Sequence, residues 1–178
     1  GCCGAVLLGR MSDIVDYLLY VDKKTGLPNR EKLNIYIGEM AGKVLPEAFT
    51  CFTLNLDNLS ELTKRFGYTV GDGVLKDFAG LVQLMGDTEG MRGYNGIGRF
   101  VVFFEECSSK KAAAMIRILD NQVEEYNSLN PEYPIRYTAA WATTEETDTY
   151  EIRELLRLSQ KKWKQMEKEK KDKTEEET

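Results

Sequence analysis

An apolar run in the middle of the chain constrains its fold more than any other feature. The run is AFTCFTLNL, residues 48–56, and it places aromatic and β-branched residues on both faces of the strand that it predicts. A strand that is apolar on both faces belongs in the centre of a sheet, with other elements packed above and below it. We therefore expect a central sheet that is covered by helices.

Further strands and several amphipathic helices surround this central strand in the sequence. Residues 91–106, MRGYNGIGRFVVFFEE, predict a strand, a turn and a second strand, and residues 135–143, IRYTAAWAT, predict a strand with one buried face. Helical spacing predicts a lead-in helix at 11–21, helices at 30–43, 60–65, after GYTVGD and at 109–127, and a last helix from Tyr150 that frays into a charged tail. This order indicates one α+β domain with helices packed around a sheet.

Composition argues against several classes of function. The chain has 178 residues and a formal net charge of −5, so we expect no nucleic-acid-binding surface, which is usually basic. No apolar run reaches the roughly 18 residues that a membrane span needs, so we expect no direct membrane insertion in this fragment. The chain has no histidine and no Cys-x-x-Cys pair, which argues against a zinc site. Any chemistry would depend on carboxylates, lysines or a metal.

The first residue and the cysteines bear on the setting of the chain. It begins with Gly1 rather than methionine, so we expect it to be part of a larger polypeptide. The four cysteines are expected to be free thiols, as in a reducing cytoplasm. We therefore expect a cytoplasmic location, a description that includes the cytoplasmic domain of a membrane-anchored protein.

Three segments, in this order, resemble the GGDEF family, the diguanylate cyclase domain of bacterial signalling. Residues 22–30, DKKTGLPNR, are similar to the family's D-x-L-T-G-L-x-N-R opening, with Lys24 in place of leucine. Residues 55–72, NLDNLSELTKRFGYTVGD, are similar to D-x-D-x-F-K-x-x-N-D-x-x-G-H-x-x-G-D. Residues 96–100, GIGRF, stand at the signature pentapeptide, and the resemblance covers residues 12–168.

The resemblance implies a fold and a division of the chain. The fold is a central, mostly antiparallel five-stranded sheet wrapped by helices, related to nucleotide cyclases and with a ferredoxin-like core. The division is a lead-in segment and helix at 1–21, a degenerate GGDEF domain at 22–168 and a charged tail at 169–178. The implied fold agrees with the order of the predicted elements.

The resemblance also implies a chemistry, for which this chain lacks the metal-binding acids. Members of the family join two GTP molecules, and Mg²⁺ held by two acids neutralises the reacting phosphates. Those two acids correspond to Asn55 and Gly98, and the next acid of the pentapeptide corresponds to Arg99. An amide, a missing side chain and a cation do not supply the carboxylate oxygens that Mg²⁺ prefers. We expect no cofactor, and Mg²⁺ only if the chain is an active cyclase.

Other positions of the family's nucleotide site are also changed. The phenylalanine–lysine pair corresponds to Leu59 and Ser60, and the guanine-reading asparagine corresponds to Thr63. In the last helix, Glu167 falls near a phosphate-binding lysine of the family. The product-inhibition motif would start at Asp87, where the chain has DTEG, so feedback binding of cyclic di-GMP is not expected. The candidate nucleotide-binding residues are Leu59, Ser60, Thr63, Asp72, Gly96 and Arg99.

Several of these residues also have simpler interpretations. Asp72 is the retained partner of the guanine-reading residue, and an aspartate just before a helix is usually its N-cap. Arg99 is either a solvated turn residue or a group that meets a triphosphate without a metal. Asp57 is expected to make structural hydrogen bonds, and Trp141 and Trp163 are expected to be core residues.

The sequence predicts a catalytically inactive GGDEF-type domain of a larger bacterial signal-transduction protein. It would act as a regulatory or interaction module through its lead-in helix, and retained GTP binding is a second hypothesis. The expected partners are other domains of the same polypeptide, GTP and a second copy of the chain. An active diguanylate cyclase that makes cyclic di-GMP and a purely structural dimerisation unit are the alternatives.

Overall fold

The computed structural model describes residues 2–86 and 89–177, and only the backbone of residues 2–8. Its helices are α1 (Cys2–Tyr20), α2 (Arg30–Met40), α3 (Leu59–Phe66), α4 (Tyr68–Gln83), α5 (Ser109–Leu129), α6 (Thr144–Thr147) and α7 (Ile152–Glu176). Its strands are β1 (Thr50–Leu56), β2 (Gly90–Tyr94), β3 (Arg99–Phe104) and β4 (Tyr137–Thr143). The DTEG segment includes residues 87 and 88, so the prediction about product inhibition lies outside the described residues.

The four strands form one antiparallel sheet in the order β2-β3-β1-β4. The predicted fold class, an antiparallel sheet with helices around it, is therefore confirmed, and β1 is a central strand as its apolar run predicts. The predicted number of five strands is wrong for the described residues. The segment that follows β4 forms α6 and a left-handed turn at Asp148, with φ of 51°, instead of pairing with the sheet.

Alternate residues of β1 contact two separate cores. Phe52, Leu54 and Leu56 pack with α4 and α5 on one face of the sheet. On the other face, Cys51 packs with buried residues of α2 and α7. A strand residue points to the face opposite its neighbours, so one apolar run serves both cores. The layered order of helix, sheet and helix follows from this run.

Strand β4 is buried on both faces, whereas its alternating sequence predicts one buried face. Tyr137 and Trp141 lie on the predicted face, but Ala140 and Ala142 on the opposite face are also buried. Helix α7 covers that opposite face, and the short alanine side chains let it approach closely. The buried Ser159 hydroxyl of α7 lies 2.7 Å from the Thr53 hydroxyl of β1, which ties the helix to the sheet.

The first and last helices are longer than predicted. Helix α1 starts at Cys2 rather than near residue 11, and α7 continues to Glu176 through the segment predicted to fray. Lys170 is one reason for the continuation, because its ammonium donates to the Tyr137 carbonyl at 3.0 Å and to the Thr138 hydroxyl at 2.8 Å. Across the described residues, no helix is both long and apolar enough to cross a bilayer.

Candidate functional site

Three side chains stand side by side across the sheet, on the face covered by α7. Asn55 of β1 pairs with Arg99 of β3 on one side and with Thr138 of β4 on the other. Directly paired residues of antiparallel strands point to the same face, so the three form a row. This row contains Asn55 and Arg99, two of the positions at which the family resemblance implies acids.

A cleft of about 440 Å³ opens beside this row. It lies between the sheet, α3, the start of α4 and α7. Of the predicted nucleotide-binding residues, the structure brings four into this cleft and leaves Asp72 and Gly96 outside its lining. The lining residues are Asn55, Leu56, Asp57, Leu59, Ser60, Thr63, Lys64, Tyr68, Ile97, Arg99, Trp163 and Glu167.

Asp57 makes structural hydrogen bonds, as predicted. Its Oδ1 accepts from the Asn55 amide at 2.8 Å, and its Oδ2 accepts from the Thr138 hydroxyl at 2.6 Å. The Thr138 hydroxyl in turn accepts from the Lys170 ammonium. Both carboxylate oxygens of Asp57 therefore already bind donors of the protein, which lowers its capacity to bind a metal.

Arg99 is the first residue of β3 and stacks on an aromatic ring. Its guanidinium carbon lies 5.3 Å from the centre of the Trp163 ring, within the range of a cation–π contact. Trp163 is buried, in agreement with its predicted place in the core. Arg99 is exposed, as a solvated residue would be, and the stacking places its guanidinium at the cleft.

The signature turn has an unusual backbone. Gly96, Ile97 and Gly98 have φ values of 84°, 56° and 75°, so three successive residues adopt the left-handed region. The Gly98 N–H donates to the Tyr94 hydroxyl at 2.9 Å, and burial raises the pKa of Tyr94. A Cβ on Gly98 would lie 3.1 Å from the Leu56 carbonyl oxygen, which is a tight contact. Glycine therefore fits this backbone better than an acid would.

The opening motif holds this turn from outside the cleft. Arg30 donates to the Asn95 carbonyl at 2.7 Å and to the Asn95 side-chain oxygen at 3.2 Å. The turn before Arg30 is itself stabilised, because Asp22 accepts from both the backbone and the hydroxyl of Thr25 at 2.8 Å. The opening motif is thus joined by direct hydrogen bonds to the residue that precedes the signature pentapeptide.

Asp72 does not cap a helix, so that interpretation is wrong. Helix α4 begins at Tyr68 rather than after Asp72, because Gly67 adopts a φ of 90° that ends α3 and lets the next helix start at once. Asp72 lies inside α4 and forms an exposed ion pair with Lys24 at 3.4 Å. The residue before it, Gly71, leaves room for the Thr63 hydroxyl, with which a Cβ there would clash.

Two lysines of α7 extend the site and were not predicted from the sequence. Lys170 and Lys171 line an adjoining cleft of about 480 Å³ that shares Asn55, Asp57 and Glu167 with the first. Lys171 pairs with Glu167 at 2.8 Å. Two other lysines near Glu167 in the sequence, Lys164 and Lys168, do not line either cleft. The regular charge pattern of the tail gave no signal that would single out Lys170 or Lys171.

The side chains at this site do not fit the magnesium ion that the fold family implies. Asn55 donates its amide N–H to Asp57, Gly98 has no side chain, and Arg99 is a cation. Within residues 2–86 and 89–177, no three acidic, histidine or cysteine side chains come close enough together to hold a metal. We therefore derive no reaction step through Mg²⁺ at this site.

The chain belongs to the GGDEF family. The family model described as diguanylate cyclase, GGDEF domain, matches residues 19–173. This match covers the sheet, the cleft and most of α7. No curated protein matches the chain.

Solved GGDEF structures share the fold at low sequence identity. A diguanylate cyclase/phosphodiesterase from Caldicellulosiruptor saccharolyticus has a TM-score of 0.69 at 18% identity, over 87% of this chain and 91% of that chain. The S helix-GGDEF-EAL part of LapD from Vibrio cholerae, bound to c-di-GMP, has a TM-score of 0.64 at 12% identity, over 76% of this chain and 32% of that one. The coiled coil and GGDEF domain of DgcB from Caulobacter crescentus, in complex with c-di-GMP, has a TM-score of 0.62 at 16% identity, over 79% and 78%.

Proposed function

We propose that this chain is a catalytically inactive GGDEF module that acts by regulation or interaction within a larger bacterial signalling protein. The observation that carries the proposal is the row across the sheet, in which an amide and a guanidinium stand where the family resemblance implies acids. A cation in this row repels Mg²⁺, and without the metal the charge of the reacting phosphates is not neutralised. The GGDEF fold, together with an amide and a cation at positions where the resemblance implies acids, supports this proposal.

The proposed setting is cytoplasmic, and the proposed partners are other domains of the same polypeptide, a second copy of the chain and GTP. The comparison proteins support the first of these partners, since one combines the GGDEF fold with an EAL segment and an S helix and another with a coiled coil. In this chain, α1 occupies the corresponding position before the domain. A purely structural dimerisation role remains an alternative that depends on α1.

The alternative of an active cyclase is tested by assaying the unaltered chain for cyclic di-GMP formation from GTP with Mg²⁺. We expect no product, because neither Asn55 nor Gly98 supplies a carboxylate. Product formation above the background of a protein-free sample would overturn the proposal.

A variant that restores the acids tests the same proposal. The triple variant carries Asn55→Asp, Gly98→Glu and Arg99→Glu. We expect this variant to bind Mg²⁺ in calorimetry and the unaltered chain not to bind it. The Gly98 change will lower stability by about 1 kcal/mol, because a side chain is strained at a positive φ. Arg117→Glu on the exposed face of α5 is the control, since it makes the same arginine-to-glutamate change outside the cleft. Equal Mg²⁺ binding by that control would refute the assignment of the acid positions.

A further inference from the structure

An apolar groove runs between the end of α4 and helix α5, and we call it the α4–α5 groove. Its volume is about 320 Å³, and it shares no lining residue with the two clefts beside α7. Met85 and Met115 of its lining belong to the same core as Leu54, the neighbour of Asn55 in β1. Successive strand residues point to opposite faces, so the groove lies on the other side of the sheet from Asn55.

The floor of the α4–α5 groove is made of methionines. Met85 and Met115 line it and are buried. A Cβ on Gly86 would clash with the Met115 methyl group, so the glycine leaves room for Met115 in the floor. Methionine is unbranched and flexible, so it adapts its shape to apolar groups of different outline. The floor can therefore fit itself to an apolar ligand.

The rim of the groove is apolar and uncovered. Leu84, just after α4, is 69% exposed, and Ile118 of α5 is 59% exposed. Both residues line the groove and leave large apolar areas in water. An apolar group that lies between them would remove that area from water, which is favourable. The rim therefore adds to the attraction of the floor for an apolar ligand.

A single cation stands at one end of this apolar strip. The lining residues of α5 recur at helical spacing from Lys111 to Gln122, a distance of about 16 Å along the helix. Among the described lining residues, Lys111 is the one cation and no acid accompanies it. Its ammonium lies 3.4 Å from the Glu106 carbonyl oxygen, longer than an ordinary hydrogen bond, and forms no ion pair with a described residue. The groove thus combines an apolar strip with an uncompensated positive charge.

We propose that the α4–α5 groove binds a free medium-chain fatty acid, with its carboxylate on Lys111 and its alkyl chain between Leu84 and Ile118. A carboxylate accepts the N–H groups that the lysine directs weakly at a carbonyl, and an unbranched chain follows the strip along α5. A helix of a partner protein fits less well, because the volume is at the lower end of the range for small-molecule sites. This inference goes beyond the proposed function, because it gives the inactive module a ligand at a separate site.

The direct test is calorimetric titration of the full chain with octanoate, decanoate and dodecanoate, each below the concentration at which it forms micelles. We expect the affinity to rise with chain length, by up to about fourfold for each added methylene group. Decan-1-ol has the same chain as decanoate without the charge and should bind about tenfold more weakly. Absence of binding by decanoate and dodecanoate, an affinity independent of chain length, or equal affinity for decan-1-ol would overturn the inference.

Variants assign the binding to the groove. Lys111→Gln should weaken decanoate binding about tenfold, since it removes the charge-assisted contact to the carboxylate. Lys110→Gln is the matched control, because it makes the same change at the adjacent, exposed position outside the lining and should leave the affinity unchanged. Ile118→Glu places a carboxylate on the exposed rim and should abolish binding without loss of folded protein. Equal affinities of the Lys111 and Lys110 variants would refute the site.

Methyl NMR gives a readout that locates the ligand. The methyl signals of Met85 and Met115 should shift on addition of decanoate, since these residues form the floor. Met40 and Met91 pack against the core on the other face of the sheet, and their signals should stay unchanged. A shift confined to Met11 would place the fatty acid on the exposed apolar residues of α1 and refute the groove.

Discussion

Ile97 is the residue whose backbone and side chain conflict most clearly. It is β-branched, has a φ of 56°, and is 86% exposed at the mouth of the cleft. An L-residue in this region brings its Cβ close to the following carbonyl oxygen, and an exposed side chain recovers little by packing. Ile97 stands between Gly96 and Gly98, the two glycines of the signature turn, which also have positive φ values. The chain therefore holds a strained residue at the site that the family uses for chemistry.

Ile97→Asn is expected to stabilise the protein by about 1 kcal/mol, because asparagine tolerates the left-handed region better than a β-branched residue does. The midpoint of urea unfolding, at unchanged slope, measures the effect. Ile97→Val is the matched control, since valine keeps the branch and should give no gain. An unfolding midpoint that is the same for the asparagine and valine variants would show that Ile97 is not strained.

At the scale of elements, α1 and α7 differ in how much of their apolar surface is covered. Helix α7 packs along β4 and β1, whereas α1 makes few contacts, mainly with α2. Half or more of the surface of several large apolar residues of α1 is exposed, and those residues are Met11, Ile14, Tyr17, Leu18 and Leu19. Met11, Ile14 and Leu18 recur with the three- and four-residue spacing of a helix that pairs with another helix. A second copy of α1 would cover this stripe.

Ile14→Glu in α1 is expected to shift the chain to a monomer, since it places a charge in the middle of that stripe. Light scattering over a range of protein concentrations measures the mass. Asp13→Asn is the control, because it changes charge at the neighbouring, exposed position without removing apolar surface. The unaltered chain behaving as a monomer at every concentration would dismiss pairing through α1.

At the scale of the whole molecule, the distribution of ionisable groups sets the response to pH. The chain has no histidine, so the side chain that usually titrates between about pH 5 and 8 is absent. Burial raises the pKa of the Cys51 thiol from 9.0 to about 12, and burial also raises the pKa of Tyr36 from 10.0 to about 12. These groups are held neutral by the fold at a pH where they ionise in the unfolded chain.

Stability is therefore expected to change little between about pH 6 and 8 and to fall above about pH 9. The sign follows from the raised pKa of Cys51: the unfolded thiol loses its proton first, so rising pH favours unfolding, and the stabilisation is lost as pH approaches about 12. Thermal unfolding across this range measures the effect. Cys51→Ala should reduce the alkaline slope, and a slope equal to that of the unaltered chain would assign it to other groups.

Local sequence determined much of the fold. The strands β1 and β4 were predicted from the sequence, because their patterns of apolar residues depend on neighbours along the chain. The predicted start of the fourth helix was wrong, since Gly67 lets α4 begin at Tyr68. The charged tail was predicted to fray, yet it is helical, because Lys170 contacts β4, which lies far from it in the sequence.

The sequence by itself determined that Asn55, Gly98 and Arg99 stand where the resemblance implies acids, because the motifs have a fixed spacing. Only the tertiary structure decided what surrounds them. Strand register places Arg99 beside Asn55, and the packing of α7 places Trp163 under Arg99. Spacing along a chain fixes local backbone geometry, but contacts between distant segments depend on register and packing that no short stretch contains. That is why the residues at the implied acid positions were visible in the sequence and the stacking of Arg99 on Trp163 was not.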